Sequence, residues 1–98
     1  MRVRLHPDAR AELLEARKWY YLRSPLSSIA FSHAIDRAVS RIRDSPNNFP
    51  LADYGTRKVV LQRFPFNLVY RFDETGIVIV AVAHQKRRPG YWSNRVME

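Results

Sequence analysis

The stretch IVIVAVAHQKRRPGYW, residues 77–92, decides how the rest of the chain is read. Its first eight residues are apolar at every position but the last, as expected of a strand covered on both faces. Side chains alternate along a strand, so Val78, Val80, Val82 and His84 are expected on one face, and Ile77, Ile79, Ala81 and Ala83 on the other. Directly beyond the strand come Lys86, Arg87, Arg88, Tyr91 and Trp92. A rigid, buried strand thus ends in a dense cationic and aromatic cluster.

Working back toward the N-terminus, NLVYRF (67–72) is a second strand, joined to the first by the turn DETG. RKVVLQRF (57–64) reads as a third, stopping at Pro65. Short turns between successive strands predict an antiparallel meander. In the middle strand Val69 and Arg71 share one face, and Leu68, Tyr70 and Phe72 the opposite one. Arg71 reads in two ways: a cation on a solvated face, or one on an uncovered concave face close to His84 and Arg87.

The N-terminal half is helical. MRVRLHP alternates Val3 and Leu5 with Arg2 and Arg4, the period of a half-buried strand. Pro7 suits a first helical turn, and Asp8, Glu12 and Glu15 suit the positive end of a helix. Ala9, Leu13, Ala16 and Tyr20 mark one face of that helix to about Arg23. Ser24 and Pro25 repeat the start signal, and Phe31, Ile35, Ala38 and Ile42 mark a second stripe. So short a connection predicts an αα-hairpin. Residues 47–56 read as a loop, and the C-terminal tail as one helical turn. The expected fold is α+β, in the order β-α-α-β-β-β: a helical hairpin on one face of a small, mostly antiparallel four-stranded sheet. The first strand pairs at an edge with a later one, and the other sheet face is left for a partner or substrate. Residues 1–98 are expected to form a single domain, since a chain this short has room for one core.

Seventeen Lys and Arg against nine Asp and Glu leave a net charge of +8, which predicts attraction to nucleic acid or to an acidic protein segment. The absence of cysteine excludes a disulfide framework. With no apolar leader and no apolar run near 18 residues, a cytoplasmic protein without a membrane partner is expected. His6, His33 and His84 show no metal-ligand spacing, and no glycine-rich phosphate loop is present, so no metal or cofactor is implied. Trp19, Tyr20 and Tyr21 cannot all face one core from one helix, since neighbours are about 100° apart. At least one is expected on a contact surface. His84 can exchange a proton near neutral pH, arginines stabilise a cleaving phosphate, and Tyr91 can stack or donate. These are the parts of a metal-free ribonuclease, and equally of a tight anionic protein contact. The blander reading is a solvated basic turn followed by an aromatic plug.

Four segments in this order, ARAELLEARKWYYLRSP, AIDRAVSRIRDSPNNFP, VVLQRFPFNLVYRF and IVIVAVAHQKRRPGYW, closely resemble the RelE/ParE superfamily of type II toxin–antitoxin toxins. The likeness covers nearly the whole chain. It implies a growth-arresting toxin neutralised by a cognate antitoxin, through an acidic or amphipathic C-terminal segment, in a hetero-oligomer. It also implies one of two targets. RelE-like members cut mRNA on the ribosome without metal; on that pattern Arg71 and Arg87 would grip the phosphate, with His84 and Tyr91 as acid, base or stacking group. ParE-like members inhibit DNA gyrase and need no catalytic residues. The long hairpin, the strand end VAHQ, and Gln85 where RelE-like members tend to carry a base favour the ParE branch. A basic adaptor without toxicity is the third reading. Trp19, Tyr20, Arg57, Arg71, Lys86, Arg87, Arg88, Tyr91 and Trp92 are the expected contacts to target or antitoxin.

Overall fold

The computed structural model describes residues 1–97. Strand β1 (Val3–Leu5) leads into helices α1 (Pro7–Arg23) and α2 (Pro25–Asp44), then strands β2 (Arg57–Val60), β3 (Phe66–Asp73) and β4 (Gly76–His84). The strands lie in the order β1-β4-β3-β2. β1 runs parallel to β4, and the other pairs are antiparallel. The expected α+β architecture is present, with β1 at an edge. Both helices start at a proline, where the missing N–H leaves no bond unmade.

The main core lies between hairpin and sheet. Phe31, Ile35, Ala38 and Ile42 of α2 and Ala9 and Ala16 of α1 pack on Leu68, Tyr70, Ile77, Ile79 and Val82. The apolar stripes read from the sequence are therefore the buried ones. Burial of these groups is the principal driving force, at roughly 25 cal/mol per Å² of apolar surface. Tyr70 also donates its hydroxyl to the Pro46 carbonyl at 2.5 Å, tying the loop after α2 to the sheet.

Two expectations fail locally. The strand read over 57–64 ends at Val60. Beyond it the Phe64 ring turns under the hairpin, 5.1 Å from Tyr20 and 5.3 Å from Phe31 centroid to centroid, which takes the chain off the ladder. The second failure is the alternation along β4. Val69 faces Ala81 but Tyr70 faces Ile79, so Val80 is an extra residue, a bulge. Val80 and Ala81 consequently lie on the same, helix-free side, with Val69, Val78 and Ala83. Val82 returns to the helix side. Val82 therefore does not share a face with Val78 and Val80.

The helix-free side is also less open than expected. Trp92, only 5% exposed, caps the apolar layer there, with Tyr91 and Val96 beside it. Of the two readings of the tail, the aromatic plug describes Trp92. A 3-10 turn at Ser93–Arg95 is the one helical turn anticipated in the tail.

Gly76 opens β4 at φ +141°, and a Cβ there would sit 2.6 Å from the Arg2 carbonyl oxygen. That carbonyl accepts from the Ile77 N–H at 2.8 Å, the first rung between β4 and β1. Gly76→Ala should therefore destabilise the fold by about 2–3 kcal/mol and lower the melting temperature by roughly 10 °C or more. An unchanged thermal melt by circular dichroism would contradict this close approach.

Candidate binding groove at the end of the fourth strand

β1 stops at Leu5, while β4 runs on to His84. The last rung between them is the His6 N–H on the Ile79 carbonyl at 2.9 Å. Beyond that point no strand among the described residues covers the outer edge of β4. Helix α1 crosses there instead, and a groove of about 360 Å³ remains between them. Glu12, Ala16, Trp19 and Tyr20 form its helical wall; Phe66, Val82 and His84 form its floor; Arg87 and Tyr91 close one side.

The open edge is satisfied by side chains. The Val82 N–H donates to Glu12 Oε1 at 3.0 Å, and Arg95 Nη1 donates to the Val80 carbonyl at 3.2 Å. Arg95 grips the same carboxylate with two nitrogens, at 2.8 Å to Oε1 and 3.1 Å to Oε2. Tyr91 completes the set by donating its hydroxyl to Oε2 at 2.5 Å. The Arg95 and Glu12 side chains are only 11% and 18% exposed, so this ion pair is held where water screens it poorly. Burial pushes the Tyr91 phenol far above its usual value, and its hydrogen bond to Glu12 and that group's charge push it further. Tyr91 is thus fixed as a hydrogen-bond donor.

Glu12 and Arg95 were not singled out from the sequence, although Glu12 left a signal. It stands three residues after Ala9 and four before Ala16, inside the apolar stripe of α1. Small residues on either side let the helix come close enough for its carboxylate to reach β4. Arg95 left none, because its role depends on where the tail returns.

The expected site residues fall into separate groups. His84 stands edge-on to Phe66, with ring centroids 5.1 Å apart, and its Nδ1 accepts from the Lys86 N–H at 3.1 Å. The Arg87 guanidinium lies 3.8 Å from the centroid of the Tyr91 ring, a cation–π contact. Lys86, Arg87 and Arg88 are exposed on the turn after β4. His84, Arg87 and Tyr91 therefore do gather at one end of the sheet. Arg71 does not join them. It pairs with Val78, whereas His84 pairs with Phe66, six residues further along β4. At about 3.3 Å per residue that separates them by roughly 20 Å. The expected convergence of Arg71 with His84 and Arg87 is absent.

The remaining expected contacts also differ in kind. Trp19 is half exposed at the groove rim, with the Arg23 guanidinium 3.4 Å from its ring centroid. Tyr21 is exposed as well, while Tyr20 packs inward on Phe31. The three adjacent aromatics thus divide as helix geometry requires. Arg57 is tied down, donating to the carbonyls of Asn47 and Phe49 at 3.1 and 2.8 Å. Trp92 is buried and supports the surface from beneath. Among the described residues no cluster of His, Cys, Asp or Glu has the arrangement of a metal site, and no helix is long and apolar enough to cross a membrane.

Glu12→Ala removes the acceptor for three donors at once. It is expected to cost about 2–4 kcal/mol, read as a fall of roughly 10–20 °C in melting temperature. Loss of less than about 3 °C would mean that the hub is ornamental. Stability should also fall as pH rises past about 10, where the unfolded chain releases a phenol proton that native Tyr91 retains. Tyr91→Phe should flatten that alkaline decline in urea melts; an identical pH profile would contradict the assignment.

The family model described as ParE toxin of type II toxin-antitoxin system, parDE, matches residues 3–89. No curated protein matches the chain. A solved structure described as the chromosomal ParDE TA system from P. aeruginosa is similar with a TM-score of 0.62 at 19% identity, over 86% of this chain and 95% of that one. At that identity the likeness concerns the fold alone. The match along most of the sequence goes further: the chain belongs to the ParE toxin family of type II toxin–antitoxin systems.

Proposed function

We propose that the chain arrests bacterial growth in the cytoplasm by inhibiting DNA gyrase, as a single toxin domain neutralised by a cognate antitoxin. The observation that carries this reading is the dispersal of the nuclease set. A phosphate held by Arg71 would lie far out of reach of His84, given the roughly 20 Å between them. The Tyr91 hydroxyl is engaged as a hydrogen-bond donor to Glu12, and Arg87 is stacked on the Tyr91 ring. Membership of the ParE family supports the same branch.

The groove beside α1 suits an amphipathic antitoxin segment. Ala16, Tyr20, Pro65, Phe66 and Val82 offer an apolar trough, and Arg87 stands at its rim. Lys86 and Arg88 follow on the same exposed turn, so acidic residues flanking an apolar stripe would be complemented there. A toxin–antitoxin hetero-oligomer follows from such an occupant.

Purified gyrase supplies the test. Micromolar full-length chain should inhibit supercoiling of relaxed plasmid, and transcripts from induced cells should stay uncut during growth arrest. Unaltered supercoiling, or codon-spaced mRNA cuts mapped by primer extension, would refute the reading. Trp19→Ala, at the half-exposed rim of the groove, should leave gyrase inhibition within about threefold while weakening antitoxin capture by a factor of about ten or more.

A further inference from the structure

The charge of the chain is unevenly layered. The two helices carry seven bases and five acids, and the rest of the chain ten bases and four acids. Part of that excess is organised by the register of the sheet. Arg4 of β1 pairs with Val78 of β4, and Val78 pairs with Arg71 of β3. The three therefore stand in one row across three strands. Val3 and Leu5 pack with the helix-side core, as do Tyr70 and Phe72, so Arg4 and Arg71 both point to the helix-free side. Arg2 is exposed just before β1, its carbonyl accepting from the Ile77 N–H.

With strands about 4.8 Å apart, the two flanking Cα atoms are roughly 10 Å from one another. The side chain between them is a valine, which offers neither guanidinium a counter-charge. Arg2, Arg4 and Arg71 make no ion pair among the described residues, and the covered Nε of Arg71 has no hydrogen-bond acceptor. The nearest acid along β3 is the exposed Asp73. The Thr75 hydroxyl and N–H, at 2.6 and 2.8 Å, are the main cause that holds its carboxyl below the usual carboxylate range, and the Arg71 charge adds a smaller pull without an ion pair. Toward the other end of this side, Lys58, Arg87 and Arg88 line a shallow cleft of about 380 Å³.

We propose that the helix-free side of the sheet, centred on the Arg4–Val78–Arg71 row with Arg2 beside it, binds the phosphate backbone of a nucleic acid. The row fits that ligand better than an acidic polypeptide. Planar guanidinium forks match phosphate oxygens two-handed. A protein contact would need an apolar centre with aromatic or aliphatic anchors seated in pockets. Neither the groove beside α1 nor the cleft at Lys58, Arg87 and Arg88 reaches Arg2, Arg4 or Arg71. Phosphate contacts need no such pocket, and they read charge and spacing without reading sequence. The site lies on the opposite side of the sheet from the groove beside α1, and it does not depend on the gyrase reading.

The test is fluorescence anisotropy of the full-length chain with three labelled probes: a 20-bp DNA duplex, a 20-nucleotide single-stranded RNA and polyglutamate. KCl is varied from 50 to 200 mM. Arg2→Ala/Arg4→Ala is compared with Arg37→Ala/Arg43→Ala, which removes the same charge from exposed positions of α2. The β1 pair should weaken nucleic-acid binding about tenfold at 50 mM salt and lower the salt slope by about 1–2, while the α2 pair stays within about twofold of the parent. Arg71→Gln, checked for an unchanged melt, should act like the β1 pair; Arg71→Lys, which keeps charge without the fork, covers the case in which the Gln variant does not fold. Either nucleic acid satisfies the proposal, and the tighter one names the source. Equal losses from the two double variants, no loss from the β1 pair, or tighter binding of polyglutamate than of both nucleic acids would overturn it.

Discussion

Strand β4 outruns its neighbour, and much of the architecture follows from that mismatch. β1 covers the outer edge of β4 only as far as Ile79. An exposed strand edge is a row of unpaired donors and acceptors, a standing invitation to pair with another chain. Glu12 closes it here by accepting from the Val82 N–H. A carboxylate at a half-buried edge is costly unless its charge is answered, and Arg95 answers it from the tail. Tyr91 takes up a further lone pair. One short contact thus fastens α1, β4 and the C-terminal segment together, across 83 positions of sequence in the case of Arg95 and Glu12.

The bulge at Val80 is the second constraint, and it acts with the first. It places two consecutive small apolar residues on the helix-free side, where Trp92 covers them. It also puts Val82 and His84 on the helix side, where with Phe66 they form the floor of the groove, while Ala83 stays on the helix-free side. Under unbroken alternation from Val78, His84 would lie on the side that Trp92 caps. The side His84 faces is therefore set by the bulge in the ladder, four residues before it.

These two devices divide the molecule into surfaces of different character. One is an apolar trough with a cationic rim, suited to a protein segment. The other is a sheet face with guanidinium groups held in register, suited to a polyanion. A composition that is merely basic does not imply such a division. It arises because a sheet sorts alternate side chains onto opposite faces and a helical hairpin covers only one of them.

The order of elements, the apolar stripes of both helices, the prolines at their starts and the family likeness were all legible along the chain, because each depends on residues within a few positions of one another. Glu12 was half legible, as a carboxylate between two alanines of a buried stripe. Three features were decided only in three dimensions: the end of β2 at Val60, where Phe64 is drawn beneath the hairpin; the phase of β4, where a bulge has no signature in a uniformly apolar run; and the company of Arg71. Alternation placed that arginine on the correct face. Its position along the sheet came from the register with β4, which is fixed by the packing of distant strands and carries it to Arg4, away from His84. Outside the bulge of β4, local sequence thus determined which side a residue looks toward, and tertiary pairing determined which residues it meets there, since register is a long-range property that no short stretch encodes.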